Sequence, residues 1–309
     1  MNTLNKLVSL STITSRLDSF FEINRLEKDP AMSHFIPNVY KNIFDWESFF
    51  ETEFLQKYNG LMIKGDDKVG KIFTASFPNE EILKKFIDKS NRGDLLFLHH
   101  PIQLECGNPN GNLGKGFLPI NKTLLKKIIR KKISIYCCHA PLDYNKKIST
   151  NISIAKKMKA TILEEFLPYG NGYAGLYASI NPISTDKLII KLKKIFNIPY
   201  VDFAGKKVDK ISIISIIAGG GDEVEYTQKY TKYNIQAYIT GEIFSHYTSD
   251  WGKENTKKIK KYAKTVDFSM IGVSHSASEF LVMRTQMVDW FKKNFNLSVI
   301  PLSQSKWWV

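Results

Sequence analysis

The sequence has few cysteines, few arginines and no long apolar run. Three cysteines, Cys106, Cys137 and Cys138, are too few for the disulfide framework of a small secreted protein, so we expect a reducing, cytoplasmic environment. No uninterrupted apolar stretch approaches the roughly 20 residues that span a bilayer, and residues 1–12 lack a basic region followed by an apolar block. We therefore expect no membrane association and no secretory signal.

The 309-residue chain has a formal charge of +14, and its basic residues are almost all lysines. Five arginines stand beside 39 lysines, whereas proteins that read nucleic acids usually favour arginine for its bidentate contacts. The lysines fall in groups on predicted helix faces, such as Lys257–Lys261. A surface that solvates helices explains them better than nucleic-acid binding, which stays an unfavoured alternative. The same surface would attract an anionic small substrate.

Apolar periodicity predicts strands alternating with helices from Trp46 onward, and hence an α/β protein with parallel or mixed sheets. Residues 1–44 look helical and aromatic, and we interpret them as an N-terminal extension. In α/β folds the chemistry gathers at the carboxyl ends of strands. The main predicted strands are 95–98, 133–138, 211–218, 237–239 and 268–273, and the main predicted helices are 80–91, 121–129, 150–159, 186–196, 254–264 and 279–295.

Imidazoles and carboxylates follow three of the predicted strands at the points where they end. Each group alone is a weak signal, because paired histidines and short His-to-Glu spacings are common without a metal. Their recurrence at three strand ends of one chain predicts a site for Zn, Mn or Fe, which accept neutral nitrogen and carboxylate ligands. The three groups are His99 with His100, His139 with Asp143, and His275 with Glu279.

The predicted site suits two ions better than one. Adjacent strand residues point to opposite faces, so His99 and His100 would serve two neighbouring ions. Two such ions, roughly 3.5–4 Å apart, need a bridging carboxylate. Glu279 is the candidate bridge, because it follows His275 by four residues and shares its helical face. Asp143 completes the ligand set.

Three further residues allow two interpretations each. His139 is either a ligand or, as we favour, a residue that orients Asp143 or donates to bound substrate. Glu242 is a general base or a solvated, helix-capping carboxylate. His246 lines a cavity or is a satisfied surface histidine.

The glycines and cysteines favour structural interpretations. The run Ala218–Glu223 lacks the Lys-Ser/Thr of a phosphate-binding loop, so a tight strand-to-helix turn is the favoured interpretation, although its N–H groups could hold an anion. Cys137 and Cys138 lie in an apolar strand and are interpreted as buried thiols rather than ligands.

Four motifs follow one another along the chain: LLFLHHP (95–101), YCCHAPLD (136–143), YITGE (238–242) and HSASE (275–279). Their order resembles that found in the Nif-three-like, or YbgI-like, dinuclear-metal proteins, often named GTP cyclohydrolase I type 2 homologues. The resemblance covers roughly residues 46–300. It implies two interleaved α/β domains with mixed sheets, a toroidal homohexamer and a two-metal site facing an internal cavity. It also assigns metal-ligand roles to His99, His100, Asp143, His275 and Glu279.

The chain departs from the family pattern in three places. The N-terminal 40 or so residues look additional, and residues 73–79 lack the usual aspartate after an early strand. The glycine that usually precedes the late histidine is replaced by Ser274. The predicted domains are an extension (1–44), a discontinuous metal-site domain (45–145 plus 266–309) and an inserted second domain (146–265).

The favoured function is a two-metal hydrolase that acts on a nucleotide or another phosphate-bearing heterocycle, with GTP ring opening as the reaction suggested by the resemblance. Its predicted catalytic residues are Glu279, His139 and Glu242. The alternative is a metal-stabilised hexameric binding or regulatory protein whose partner is a protein or nucleic acid. A third interpretation is that the histidines are dispersed in space and bind no metal.

Overall fold

The computed structural model describes residues 7–108, 110–229 and 233–307. Within these residues the chain forms two compact units. Unit 1 comprises Met1–Leu104, Phe117–Asn145 and Met283–Gln304, and unit 2 comprises Glu105–Gly116, Lys146–Val282 and Ser305–Val309. Residues 7–44 group with unit 1, and residues 266–282 group with unit 2. The domain boundaries themselves stay a prediction.

Helices and strands alternate along most of the chain, as the periodicity predicts. The first elements are β1 (Val8–Ser9), α1 (Leu10–Phe20), α2 (Met32–Tyr40), α3 (Thr52–Lys57), β2 (Gly60–Ile63), β3 (Lys68–Val69), β4 (Lys71–Ala75), α4 (Glu80–Lys89), β5 (Leu95–Leu98), β6 (Gln103–Glu105), β7 (Gly116–Leu118), α5 (Lys122–Lys131), β8 (Ser134–Cys137) and α6 (Ala140–Tyr144). They are followed by α7 (Thr150–Met158), β9 (Thr161–Tyr169), β10 (Gly172–Ile183), α8 (Thr185–Phe196), β11 (Asp202–Gly205), β12 (Ile211–Gly220), α9 (Val224–Lys229), β13 (Ala237–Glu242), α10 (Asp250–Tyr262), β14 (Ser269–Gly272), α11 (His275–Arg284), α12 (Gln286–Phe295) and β15 (Ser298–Pro301).

The described part of unit 1 contains a five-stranded sheet in the order β15-β4-β5-β8-β2. The first four strands are parallel and β2 is antiparallel to β8. Strands β5 and β8 are buried along their whole length, which explains the continuous apolar sequence of β5. Ala75, Leu98 and Cys137 are aligned in register, so the residues after β4, β5 and β8 emerge together at one edge of the sheet.

The N-terminal helices belong to the core of unit 1. Ser9 caps α1, because its hydroxyl accepts the Thr12 N–H at 3.1 Å. In α2, Met32, Ile36 and Tyr40 recur every four residues and are buried in the main hydrophobic cluster of unit 1. The segment that the sequence suggests is an extension therefore packs as part of this unit.

The described part of unit 2 contains a six-stranded mixed sheet in the order β11-β14-β13-β12-β10-β9. Strands β12, β13 and β14 are parallel, and the flanking strands are antiparallel. Gly220 pairs with Glu242, and Thr240 pairs with Gly272, so the carboxyl ends of the three parallel strands also lie together. The predicted α/β class with mixed sheets is confirmed.

One predicted helix is divided. The apolar spacing predicts one long helix over 279–295, whereas α11 ends at Arg284 and α12 begins at Gln286. Thr285 interrupts them with φ of −123° and ψ of −89°, which lies outside the helical region. Among the described residues, no helix combines the length and the apolar content needed to cross a membrane.

Candidate metal centre

Three imidazoles meet at the edge of the unit 1 sheet. His99 and His100 follow β5, and His139 lies just beyond β8. Their ring centroids are 4.5 Å apart for His99 and His100, 5.0 Å for His99 and His139, and 4.6 Å for His100 and His139. All three side chains are buried, and one ring nitrogen from each lies within 4.8 Å of the others. This spacing is compatible with a shared metal ion.

Backbone pairing holds the two adjacent histidines in place. The His99 N–H donates to the Ala75 carbonyl at 3.2 Å, and the His100 N–H donates to the Ser76 carbonyl at 2.8 Å. The ring of Phe77 stacks on His100 with centroids 4.0 Å apart and planes 14° apart. The rings therefore converge although neighbouring strand residues ordinarily point apart.

The hydrogen bonds of His99 fix its tautomer. Its Nδ1 lies 3.0 Å from the Cys138 carbonyl oxygen, which can only accept, so Nδ1 carries the proton. In the neutral ring, Nε2 then presents its lone pair, and it lies 3.3 Å from Asp143 Oδ1. Asp143 is in α6, where its N–H donates to the His139 carbonyl. A metal-binding histidine has this arrangement, with the second nitrogen donating to a carbonyl.

His139 is held by a buried carboxylate from the N-terminal segment. Its Nδ1 lies 3.0 Å from Asp29 Oδ2, and its backbone N–H donates to Asn59 Oδ1 at 2.6 Å. Burial tends to raise the pKa of Asp29, but the charge of His139 and hydrogen bonds from His139, the Met32 N–H and Asn59 hold that pKa well below its usual range. Asp29 therefore stays ionised beside the imidazole.

In unit 2, His275 and Glu279 form a pair at the start of α11. His275 Nε2 lies 3.0 Å from Glu279 Oε1, as the four-residue spacing predicts. Ser274, just before the histidine, has φ of +80°, a left-handed conformation that glycine adopts most readily. The serine that departs from the family pattern therefore takes a conformation that suits glycine.

Glu242, the last residue of β13, holds the other side of the same imidazole. Its Oε2 lies 3.1 Å from His275 Nδ1, and the Tyr247 hydroxyl donates to both carboxylate oxygens at 2.9 and 3.0 Å. Burial would lower the pKa of His275, but the charge of Glu279 and hydrogen bonds to Glu242 and Glu279 raise it to about 10. The imidazolium supplies a positive charge between two buried carboxylates, a charge that a divalent cation would also supply.

The glycines at the end of β12 are needed for close approach to this pair. The strand continues through Gly220, so the turn begins later than the sequence predicts. Gly219 has φ of +72°, and a Cβ atom there would run into Glu279 Oε1 and His275 Nε2. The glycine backbone thus closes one side of the carboxylate–imidazole pair.

A comparison with known proteins identifies the family of this chain. The model of Duf34/NIF3 (NGG1p interacting factor 3) matches residues 38–306. The chain belongs to the Duf34/NIF3 family. It is 26% identical over 242 residues to the GTP cyclohydrolase 1 type 2 homolog of Buchnera aphidicola subsp. Acyrthosiphon pisum, an alignment that covers 78% of this chain and 87% of that protein.

Two solved structures share the Duf34/NIF3 fold with this chain. Protein ybgI, described as of unknown function, has a TM-score of 0.67 at 16% identity and covers 97% of this chain and 100% of its own. Reduced HcgD from Methanocaldococcus jannaschii has a TM-score of 0.62 at 15% identity and covers 97% and 99%. The predicted Nif-three-like fold is confirmed.

Three other residues of this Duf34/NIF3 chain that the sequence analysis considered are His246, Cys137 and Cys138. His246 is a satisfied histidine, since its Nε2 lies 2.6 Å from Asp202 Oδ2. Cys137 and Cys138 are buried, as the apolar strand predicts, and burial raises the pKa of both thiols well above the ordinary value.

Sequence reasoning missed three residues that hold the imidazoles: Asp29, Asn59 and Tyr247. Asp29 lies shortly before α2, a position typical of helix-capping carboxylates, and this spacing is a local signal. Its Oδ1 accepts the N–H groups of Ala31 and Met32, as a capping side chain does. No comparable spacing signal exists for Asn59 or Tyr247.

Proposed function

We propose that this Duf34/NIF3 protein is a two-metal hydrolase that acts on a nucleotide or another phosphate-bearing heterocycle. The observation that carries the proposal is the buried cluster of His99, His100 and His139, in which a carbonyl orients the ring of His99 and a carboxylate orients the ring of His139. Burying three polar imidazoles together is costly in free energy unless hydrogen bonds or a bound ion satisfy their nitrogens. The name of the Buchnera relative, GTP cyclohydrolase 1 type 2 homolog, supports the substrate class.

We assign the two ions to the nitrogen and carboxylate ligands that the family resemblance implies. The donor set suits Zn, Mn or Fe, and Glu279 is the proposed bridge. Bound divalent ions supply Lewis acidity, which lowers the pKa of water and polarises the substrate. The ligands are His99, His100, Asp143, His275 and Glu279, as the resemblance implies.

The remaining residues of the proposed site orient groups and move protons. Glu242 orients His275 through its Nδ1 and is itself held by the Tyr247 hydroxyl. Because this carboxylate is buried and fixed, we assign it the role of general base toward the attacking water. His139, beside the paired imidazoles, orients Asp143, whose N–H donates to the His139 carbonyl.

We also propose that the protein works as a cytoplasmic homohexamer, which the family resemblance implies. Sedimentation-velocity analysis of the metal-loaded protein tests the assembly. A single species of six chains is expected, and a monomer at all protein concentrations contradicts it.

The test of function combines elemental analysis with a nucleotide panel, with and without added Zn or Mn. We expect about two ions per chain and hydrolysis of at least one nucleotide. Glu279→Gln should lose most of its metal and all turnover. Glu80→Gln is the matched control, since Glu80 is also on a helix but pairs with Lys84 at the surface. Turnover that persists after stoichiometric loss of metal contradicts the proposal.

A binding role is the second candidate, because lysines line one groove of unit 2. Lys253, Lys257, Lys260 and Lys264 recur along α10 and just beyond it, beside a groove of about 370 Å³. A polyanion bound there would dissociate steeply as salt increases. Salt-sensitive binding of nucleic acid without turnover of any nucleotide favours this function, and turnover favours the hydrolase.

A further inference from the structure

Asp29 is a fully buried carboxylate that faces His139. It is surrounded by donors: the N–H groups of Met32 at 2.8 Å and Ala140 at 3.2 Å, and Asn59 Nδ2 at 2.9 Å. A buried charge is costly unless it is paired and hydrogen-bonded. This carboxylate is therefore held in one place, with one direction left for the imidazole.

The contact determines which nitrogen of His139 can bind an ion. A carboxylate accepts, so the proton of the neutral ring lies on Nδ1 and the lone pair on Nε2. Asn59 accepts the His139 N–H and donates to Asp29, which joins the backbone and the ring of His139 to the same support. His139 is thus oriented as rigidly as His99, whose Nδ1 donates to a carbonyl.

We propose that Asp29 is a positioning residue that makes His139 a third imidazole ligand, beside His99 and His100, for a divalent transition-metal ion. The inference rests on the proposed metal centre and goes beyond its ligand set, in which His139 does not bind metal. Three imidazoles favour Zn or Fe over the harder Mn and Mg. Asp29 belongs to the segment before α2, so the N-terminal residues take part in building the site.

The test is Co²⁺ binding to the full chain, followed by titration calorimetry and visible absorption. In Asp29→Asn, the amide nitrogen would face Nδ1 and favour a proton on Nε2, which cannot then ligate. We expect a 10- to 100-fold loss of Co²⁺ affinity, a changed absorption spectrum and a changed ¹⁵N tautomer signature of His139. Asp18→Asn is the matched control, because Asp18 accepts the Tyr136 hydroxyl at 2.6 Å in the same unit. The control should lose stability and keep wild-type affinity and spectrum.

A second variant separates positioning from folding. His139→Gln leaves Asp29 bonded to Met32 and Asn59, and it should show the same loss of affinity as Asp29→Asn. The double variant should lose no more than either single one, because both changes remove the same ligand. Wild-type affinity and spectrum in folded His139→Gln overturn this inference and leave the proposed function standing. Failure of the wild type to bind any metal overturns both.

Discussion

At Gly219 the backbone of β12 approaches the side chains of His275 and Glu279 so closely that only hydrogen fits. Gly219→Ala should lower the free energy of unfolding by about 1–3 kcal/mol, because its φ of +72° is strained for alanine and the methyl group displaces Glu279. Metal content should fall with it. Denaturant unfolding and elemental analysis measure both effects.

Gly116→Ala is the control for backbone strain. Gly116 has φ of +81°, and an added Cβ would meet no atom of the described residues within 4 Å. We expect a loss of about 1 kcal/mol and unchanged metal content. Equal metal content in both variants would show that Gly219 does not support the ligand pair.

Asp222 predicts a pH dependence at the scale of one residue. It is buried, and burial together with the charge of Glu242 raises its pKa from 3.8 to about 6. A raised carboxyl pKa favours the protonated folded state, so its stabilisation is complete below about pH 4 and is lost as the pH rises through about 6.

Asp222→Asn stays neutral at every pH. In metal-free protein it should gain up to about 3 kcal/mol over the wild type between pH 4 and pH 8, measured by denaturant unfolding. Asp186→Asn, at an exposed ion pair with Lys207, is the control and should show no such gain. A wild type whose difference from Asp222→Asn is constant with pH contradicts the assignment.

At the scale of elements, α2 packs its apolar face into the core of unit 1. Ile36 is 1% exposed in the unit 1 core, whereas Ile190 on α8 is 67% exposed. Ile36→Ala should cost about 2–5 kcal/mol through lost burial and a cavity, and Ile190→Ala should cost little. Chemical denaturation compares them. Similar costs would contradict a core role for α2 and favour the predicted extension.

At the scale of the whole molecule, metal binding should stabilise the fold. A ligand that binds only the folded state at 100 times its dissociation constant adds about 2.7 kcal/mol. We expect Zn or Mn to raise the thermal midpoint, a chelator to reverse this, and Glu279→Gln to abolish it. Scanning calorimetry makes the measurement, and a midpoint insensitive to metal and chelator would argue against a resident ion.

Most of the fold could be predicted from local features of the sequence. Strand β5 was predicted with its observed bounds, and Asn121 caps α5 as expected, accepting the Thr123 N–H at 2.8 Å. Periodicity and caps depend on residues a few positions apart, so neighbours in sequence suffice to predict them. The break at Thr285 escaped prediction because apolar spacing continues across it.

The candidate site also contains both contacts between residues close in sequence and contacts between distant ones. His275 and Glu279 share one helix turn, so their proximity follows from spacing alone. His99 and His100 are adjacent in sequence, but their rings converge because backbone contacts with Ala75 and Ser76 hold them. Asp29 and His139 are separated by 110 positions, and their contact exists because α2 packs into the unit 1 core. Long-range pairs of this kind leave no periodic trace along a chain. The amino-acid order thus specified which groups carry the chemistry, and packing selected the carboxylates and amides that orient them, since orientation depends on neighbours that folding brings together.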